Sequence, residues 1–95
     1  MSVRPERLDL AARRRRLRFR CWHRGTREAD LLLGSFADRH VERMDEAQLD
    51  RLERLLGSSD PDLYNWMTDR EPVPPHLDTD VMRLLKKHRY AAGTP

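Results

Sequence analysis

A chain of 95 residues, 38% hydrophobic and 37% charged, makes one small domain with a lean core and a heavily solvated surface. One cysteine excludes a disulfide framework and any cysteine-based zinc site, and no apolar run approaches the ~20 residues needed to span a bilayer. The net charge of +3 is unevenly spread: residues 1–27 carry +8 from ten arginines against Glu6 and Asp9, residues 28–80 carry −9, and residues 81–95 carry +4.

In chain order, the first segment is ambiguous by pattern. Leu17, Phe19 and Cys21 alternate with arginines as in a strand, yet Leu10, Leu17 and Cys21 also fit a helical spacing. No second strand exists to pair with it, and a lone strand would leave its backbone unpaired, so a helix is predicted. Thr26 is the expected N-cap of the next helix, with Glu28 and Asp30 in the first turn, where the helix dipole favours acids. Ala29, Leu32, Leu33, Phe36, Ala37 and His40 form its apolar stripe, and Leu31 falls outside that stripe and is expected to be partly exposed.

A third helix opens at Asp45, with Gln48 three residues on as in a capping box. Leu49, Leu52, Leu55 and Leu56 supply its buried face, and Gly57 is expected to end it in a left-handed conformation. Asp60 is read as the next N-cap, with Pro61 at the first helical position. Leu63, Tyr64, Trp66 and Met67 then read as core. Residues 71–75 cannot continue a helix and form a connector. Asp78 or Thr79 starts a last helix carrying Val81, Met82, Leu85 and His88, with its basic residues toward the C-terminus. The predicted class is all-α, a compact bundle of about five short helices. Residues 1–12 are an extension fraying into the first helix, 13–89 the single domain and 90–95 a flexible tail.

Chemistry-bearing patterns are sparse. Ser35, Ser58 and Ser59 lack the partners of a hydrolase, and the region has no nucleophile elbow. His23, His40, His76 and His88 contain no i, i+4 pair for a metal. Cys21 reads as a small buried hydrophobe. The glycines stand too far apart to cradle a phosphate. The expectation is a protein that is not an enzyme, with no catalytic residue and no metal site. The basic head fits nucleic acid, an anionic membrane, an acidic partner or the acidic middle of its own chain. A nucleic-acid-binding domain would use Arg13 to Arg16, Arg18 and Arg20 and show steep salt dependence. The missing aromatic interleaving and the acidic middle count against it. A generic helical interaction module is the other alternative.

One junction stands out, His23-Arg24-Gly25-Thr26-Arg27-Glu28-Ala29-Asp30. Gly25 permits a positive-φ turn or a close backbone approach. Arg24 and Glu28 would project from the inter-helix corner as a planar donor fork beside a carboxylate. The same residues also read as ordinary local signals: a glycine C-cap, an acid at a helix N-terminus and an arginine stem over apolar surface.

The run Arg24-Gly25-Thr26-Arg27-Glu28, followed by Asp30, Leu31, Leu32 and Phe36-Ala37, resembles the RGxxE signature of the succinate dehydrogenase flavinylation factors, the SdhE or succinate dehydrogenase assembly factor 2 family. Leu55-Leu56, the Asp60-Pro61-Asp62-Leu63 turn and the Trp66 helix also fit its layout, so the resemblance spans roughly residues 13 to 89. Ala29 stands where many members carry a larger apolar residue.

The resemblance implies an all-helical, chaperone-like factor, monomeric when free, that binds the flavoprotein subunit of succinate dehydrogenase and, in some bacteria, fumarate reductase. It would promote covalent attachment of FAD to a client histidine, which attacks the activated 8α-methyl carbon of the isoalloxazine. The helper would contribute preorganisation and no catalytic group. It would bind no cofactor stably by itself, FAD being handled on the client, and no nucleic acid. By the same resemblance, Arg24, Gly25 and Glu28 are the partner-binding residues, with Arg27 and Asp30 at the rim. Arg24 would engage a client carboxylate or carbonyl. Gly25 would allow close backbone approach, and Glu28 would pair with a client base or brace Arg24. A bacterial cytoplasmic location is expected: the start of the chain is charged where a secretion signal would be apolar, and Glu6 and Asp9 are unusual in a transit peptide.

Overall fold

The computed structural model describes the backbone of residues 5–92 and the side chains of residues 9–88. The described chain is all-α, with five α-helices and two short 3₁₀ turns: α1 (Pro5–Trp22), α2 (Arg27–His40), α3 (Glu46–Leu56), α4 (Asp60–Met67) and α5 (Asp80–Ala92). The ambiguous first segment is helical, as the missing pairing partner required. Of the tail expected over residues 90–95, residues 90–92 continue α5 as helix and residues 93–95 lie outside the described residues. The described residues divide into two units, with the boundary between Glu46 and Ala47.

In the first unit α1 packs along α2. Leu17 and Cys21 on α1 and Leu33, Phe36 and Ala37 on α2 are buried, followed by Val41 and Met44 in and after the 3₁₀ turn Val41–Arg43. Each large side chain so buried contributes ~1.5–3 kcal/mol of hydrophobic stabilisation. The basic head turns partly onto its own chain. Arg18 pairs with Glu42 and lies 3.7 Å from Asp38, and Arg14 donates to the Met44 carbonyl at 2.8 Å.

The second unit buries Leu49, Leu52, Leu55 and Leu56 of α3, Leu63, Trp66 and Met67 of α4, Leu77 of the 3₁₀ turn Pro75–Leu77, and Val81, Met82 and Leu85 of α5. Asp80, at the start of α5, ties that helix to α3. Its carboxylate accepts from the Gln48 amide at 3.1 Å and from Arg51 at 3.0 Å. These bonds, the Gln48 bond foremost, hold the Asp80 carboxyl below its usual range. Thr79, not Asp78, caps α5, its hydroxyl accepting from the Met82 N–H at 3.3 Å.

Three local expectations are corrected. Gly57 is not left-handed, because the only positive-φ glycine among the described residues is Gly25. Helix α3 closes instead by tightening, with Gly57 N–H bonded to the Arg54 carbonyl and Ser58 N–H to that of Leu55, both three residues back. The N-cap of α4 is Ser59, one residue before Asp60, since the Ser59 hydroxyl accepts from the Asp62 N–H at 3.2 Å. Tyr64 is not core: it is 44% exposed, with the Arg70 guanidinium 5.8 Å over its ring.

Helix α4 ends in a left-handed residue that is not glycine. Asp69 has φ 60°, with its N–H bonded to the Trp66 carbonyl and the Arg70 N–H to that of Asn65. That is the bonding of a Schellman motif, a role usually filled by glycine. The Asp69 carboxylate is held by Lys86 of α5 at 2.6 Å.

Candidate functional site

The corner between α1 and α2 is built by local chemistry. Helix α1 stops at Trp22, and Gly25 has φ +117°, a conformation that side-chain-bearing residues rarely adopt. Thr26 then caps α2, its hydroxyl accepting from the Ala29 N–H at 3.2 Å. Asp30, one turn into α2, reaches back across the corner. Its Oδ1 accepts from the Arg24 N–H at 2.6 Å and from the Gly25 N–H at 3.2 Å. One carboxylate thus fixes two consecutive loop amides, in a charge-assisted arrangement stronger than neutral hydrogen bonds.

The predicted site residues are therefore held together in one rigid turn, in unequal roles. Gly25 is exposed, and a Cβ built on it would meet nothing within 4 Å, so its approach side is open. Arg27 and Glu28 are exposed on the first turn of α2, and Arg24 is half-buried. Asp30, expected at the rim, spends one oxygen on the protein's own backbone and so shapes the turn. Beside the turn lies a shallow, open hollow lined by Trp22, His23, Gly25, Thr26, Arg27, Asp30 and Leu31. Arg24 and Glu28 flank it without lining it.

Two features of this corner were not anticipated. Gly34, in the middle of α2, is buried beneath the Trp22 indole, whose Nε1 donates to Asp38 at 3.2 Å. A lone glycine inside a helical pattern was the available signal, since it costs ~1 kcal/mol against alanine and needs a packing reason. The second is Phe19, which is 62% exposed and stacks on His23 with ring centroids 3.8 Å apart. His23 Nδ1 lies 2.7 Å from the Phe19 carbonyl, which can only accept, so this nitrogen carries the proton there. Leu31 is 53% exposed, as its place off the stripe predicted.

Cys21 is sealed in the first unit, and burial pushes its thiol up to about 12, outweighing the nearby Arg24 and Arg20 charges that pull it down. A thiol in that state is no nucleophile. No described group of three histidine, cysteine, aspartate or glutamate side chains could hold a metal, and no described helix is long and apolar enough to cross a membrane.

Comparison with known proteins bears on the whole fold. Residues 15–89 match the family described as "Flavinator of succinate dehydrogenase". The FAD assembly factor SdhE of Acetobacter pasteurianus is 43% identical over 77 residues, covering 81% of this chain and 71% of its own. The mitochondrial succinate dehydrogenase assembly factor 2 of Drosophila virilis is 41% identical over 88 residues, 90% of this chain and 55% of its own. The corresponding factor 2-A of Drosophila yakuba is 42% identical over 88 residues, 90% of this chain and 54% of its own. The chain thus spans about half the length of these mitochondrial relatives and most of the bacterial one. A match over residues 15–89, together with a relative of which most is covered at 43% identity, places the chain in the SdhE, or succinate dehydrogenase assembly factor 2, family.

Proposed function

We propose that this chain is an assembly factor that binds the flavoprotein subunit of succinate dehydrogenase, or of fumarate reductase, and promotes covalent attachment of FAD to a client histidine. The observation that carries this reading is the Asp30-clamped turn, which presents Gly25 with open space before it between half-buried Arg24 and exposed Arg27 and Glu28. A turn already fixed by its own bonds loses little entropy on docking, so its contacts go into holding the client. Family membership supports the choice of client. The factor acts as a monomer in the bacterial cytoplasm and is not itself an enzyme. FAD stays on the client, whose own histidine forms the bond, while the helper holds the reacting groups in place.

The direct test is in-gel flavin fluorescence of the denatured flavoprotein subunit from cells with and without this gene, since only covalent flavin survives denaturation. The expected result is loss of the band on deletion, restored by the wild type and not by Glu28→Ala or Gly25→Arg. Glu28 is exposed, so its truncation tests the contact without disturbing packing. Gly25→Arg adds bulk on the open side and strain at φ +117°. A band of unchanged strength on deletion would overturn the proposal, and full restoration by both folded variants would overturn the site.

A further inference from the structure

Three large hydrophobic side chains are exposed among the described residues, Phe19, Leu31 and Tyr64. Two of them are tied to the same hollow, one directly and one through His23. Leu31 lines it directly, and Phe19 stacks on His23, which lines it too. An exposed phenylalanine on α1 and an exposed leucine on α2 are separate departures from each helix's buried stripe, and His23 links them, stacked on Phe19 and lining the hollow with Leu31. Scattered apolar residues need no explanation, but a cluster rimmed by charge beside a rigid turn does. Arg27 lines the hollow, and Arg15, Arg16 and Arg20 are exposed on α1, the helix that carries Phe19; of the acids beside them, Asp30 spends its Oδ1 on the turn's own amides and Glu28 is exposed. Aromatic and arginine side chains around a central pocket are the composition of binding hot spots.

We propose that Phe19 and Leu31, with the His23 ring as floor, form an anchor pad that receives a bulky apolar side chain from an acidic segment of the client flavoprotein, the arginines of α1 and Arg27 pairing with its carboxylates. This assignment rests on the proposed client and adds a contact surface outside the RGxxE residues. Charge complementarity decides the occupant: the first 27 residues carry +8, so an acidic protein segment gains attraction here that a neutral one does not. The stack on His23 holds the Phe19 ring in one orientation before docking, which reduces the entropy lost on binding.

The test measures the affinity of the full chain for the purified client flavoprotein at low and high salt. It compares Phe19→Ala, Leu31→Ala, Arg15→Glu with Arg16→Glu, and Glu28→Ala, with thermal unfolding of each variant as the control for folding. Phe19 and Leu31 are over half exposed, so their truncation leaves the core intact. Each is expected to weaken client binding about tenfold, as loss of one anchor does, with the salt dependence unchanged. The double arginine variant is expected to weaken binding mainly at low salt and to flatten the salt dependence. Wild-type affinity in both apolar variants, with binding lost in Glu28→Ala, would overturn the pad and leave the proposed function standing. No binding by the wild type would overturn both. A Phe19-dependent association with anionic phospholipid vesicles, with client binding unaffected by Phe19→Ala, would assign the pad to a lipid surface and overturn the proposal.

Discussion

The Trp22 indole occupies the space that a side chain on Gly34 would need: an added Cβ would lie 2.5 Å from Cε3 and closer still to two other ring atoms. This contact seats α1 on α2 and sets one wall of the hollow beside the proposed docking turn. Gly34→Ala, which improves helix propensity on an isolated helix, should therefore destabilise the protein. Displacing the ring is an overpacking cost of ~1–3 kcal/mol, set against a propensity gain of ~1 kcal/mol. Urea unfolding should show a lower midpoint, and the Trp22 Nε1 resonance should shift as its bond to Asp38 is lost.

Asp30 should matter for order more than for contact. Asp30→Ala removes the acceptor shared by Arg24 and Gly25 while leaving the Thr26 cap in place. Amide hydrogen exchange at Arg24 and Gly25 is expected to speed up well beyond that of the α2 interior. Asp30→Asn, which keeps one oxygen, should give an intermediate result. Partly exposed charge-assisted bonds of this kind are worth ~1–2 kcal/mol, so global stability should fall only modestly. Unchanged exchange at both amides would show that the turn is held by something other than Asp30.

Asp80 gives the second unit an acid-sensitive latch. Its carboxyl lies below its ordinary value of 3.8, chiefly through the Gln48 bond, helped by Arg51 and the Val81 N–H. A group whose folded pKa is depressed stabilises fully above its unfolded value and loses that contribution as pH falls through the folded one. Asp80→Asn should thus lower the melting temperature at neutral pH. The gap to wild type should close as pH drops below 3.8, where the wild-type carboxylate also becomes neutral. A gap that stays constant into acid would contradict the charged latch.

Asp69 offers an opposite case, in which removing a side chain should help. Left-handed backbone costs a side-chain-bearing residue ~1–2 kcal/mol, somewhat less for aspartate, against ~0–1 kcal/mol for an exposed ion pair such as that with Lys86. Asp69→Gly is expected to be close to neutral at low salt. At high salt, where the Lys86 pair is screened, it should be stabilising. Denaturant midpoints at two salt concentrations decide the matter.

What could be read from the residues beforehand was whatever neighbours in sequence decide. Thr26 as cap, the leucine face of α3 and the unusual backbone of Gly25 all follow from residues within one turn of each other. Ser59 was missed because Asp60 is an equally good cap by composition, and only the hydrogen bond to Asp62 separates them. Gly57 was misread because a glycine after a helix fits both a left-handed end and a tightened last turn. Gly34 carried a signal as a glycine inside a helical pattern, but its partner Trp22 and the stacking of Phe19 lay out of reach for a different reason. Their roles depend on which face of α1 meets α2, and no local spacing states that. The site was legible as a list of residues, whereas the division of labour, with Asp30 turned inward and Glu28 outward, needed the corner in three dimensions.

The burial of Cys21 gives this chain a chemical clock. With its pKa near 12 and no solvent contact, the thiol has almost no thiolate at neutral pH, so an alkylating reagent must wait until the helices around it part. No other cysteine competes for the reagent, and this one belongs to the first unit. The rate of labelling therefore times the opening of the packing that buries Cys21 on α1. A client that clamps the turn would slow that clock, which makes docking visible without any reference to flavin.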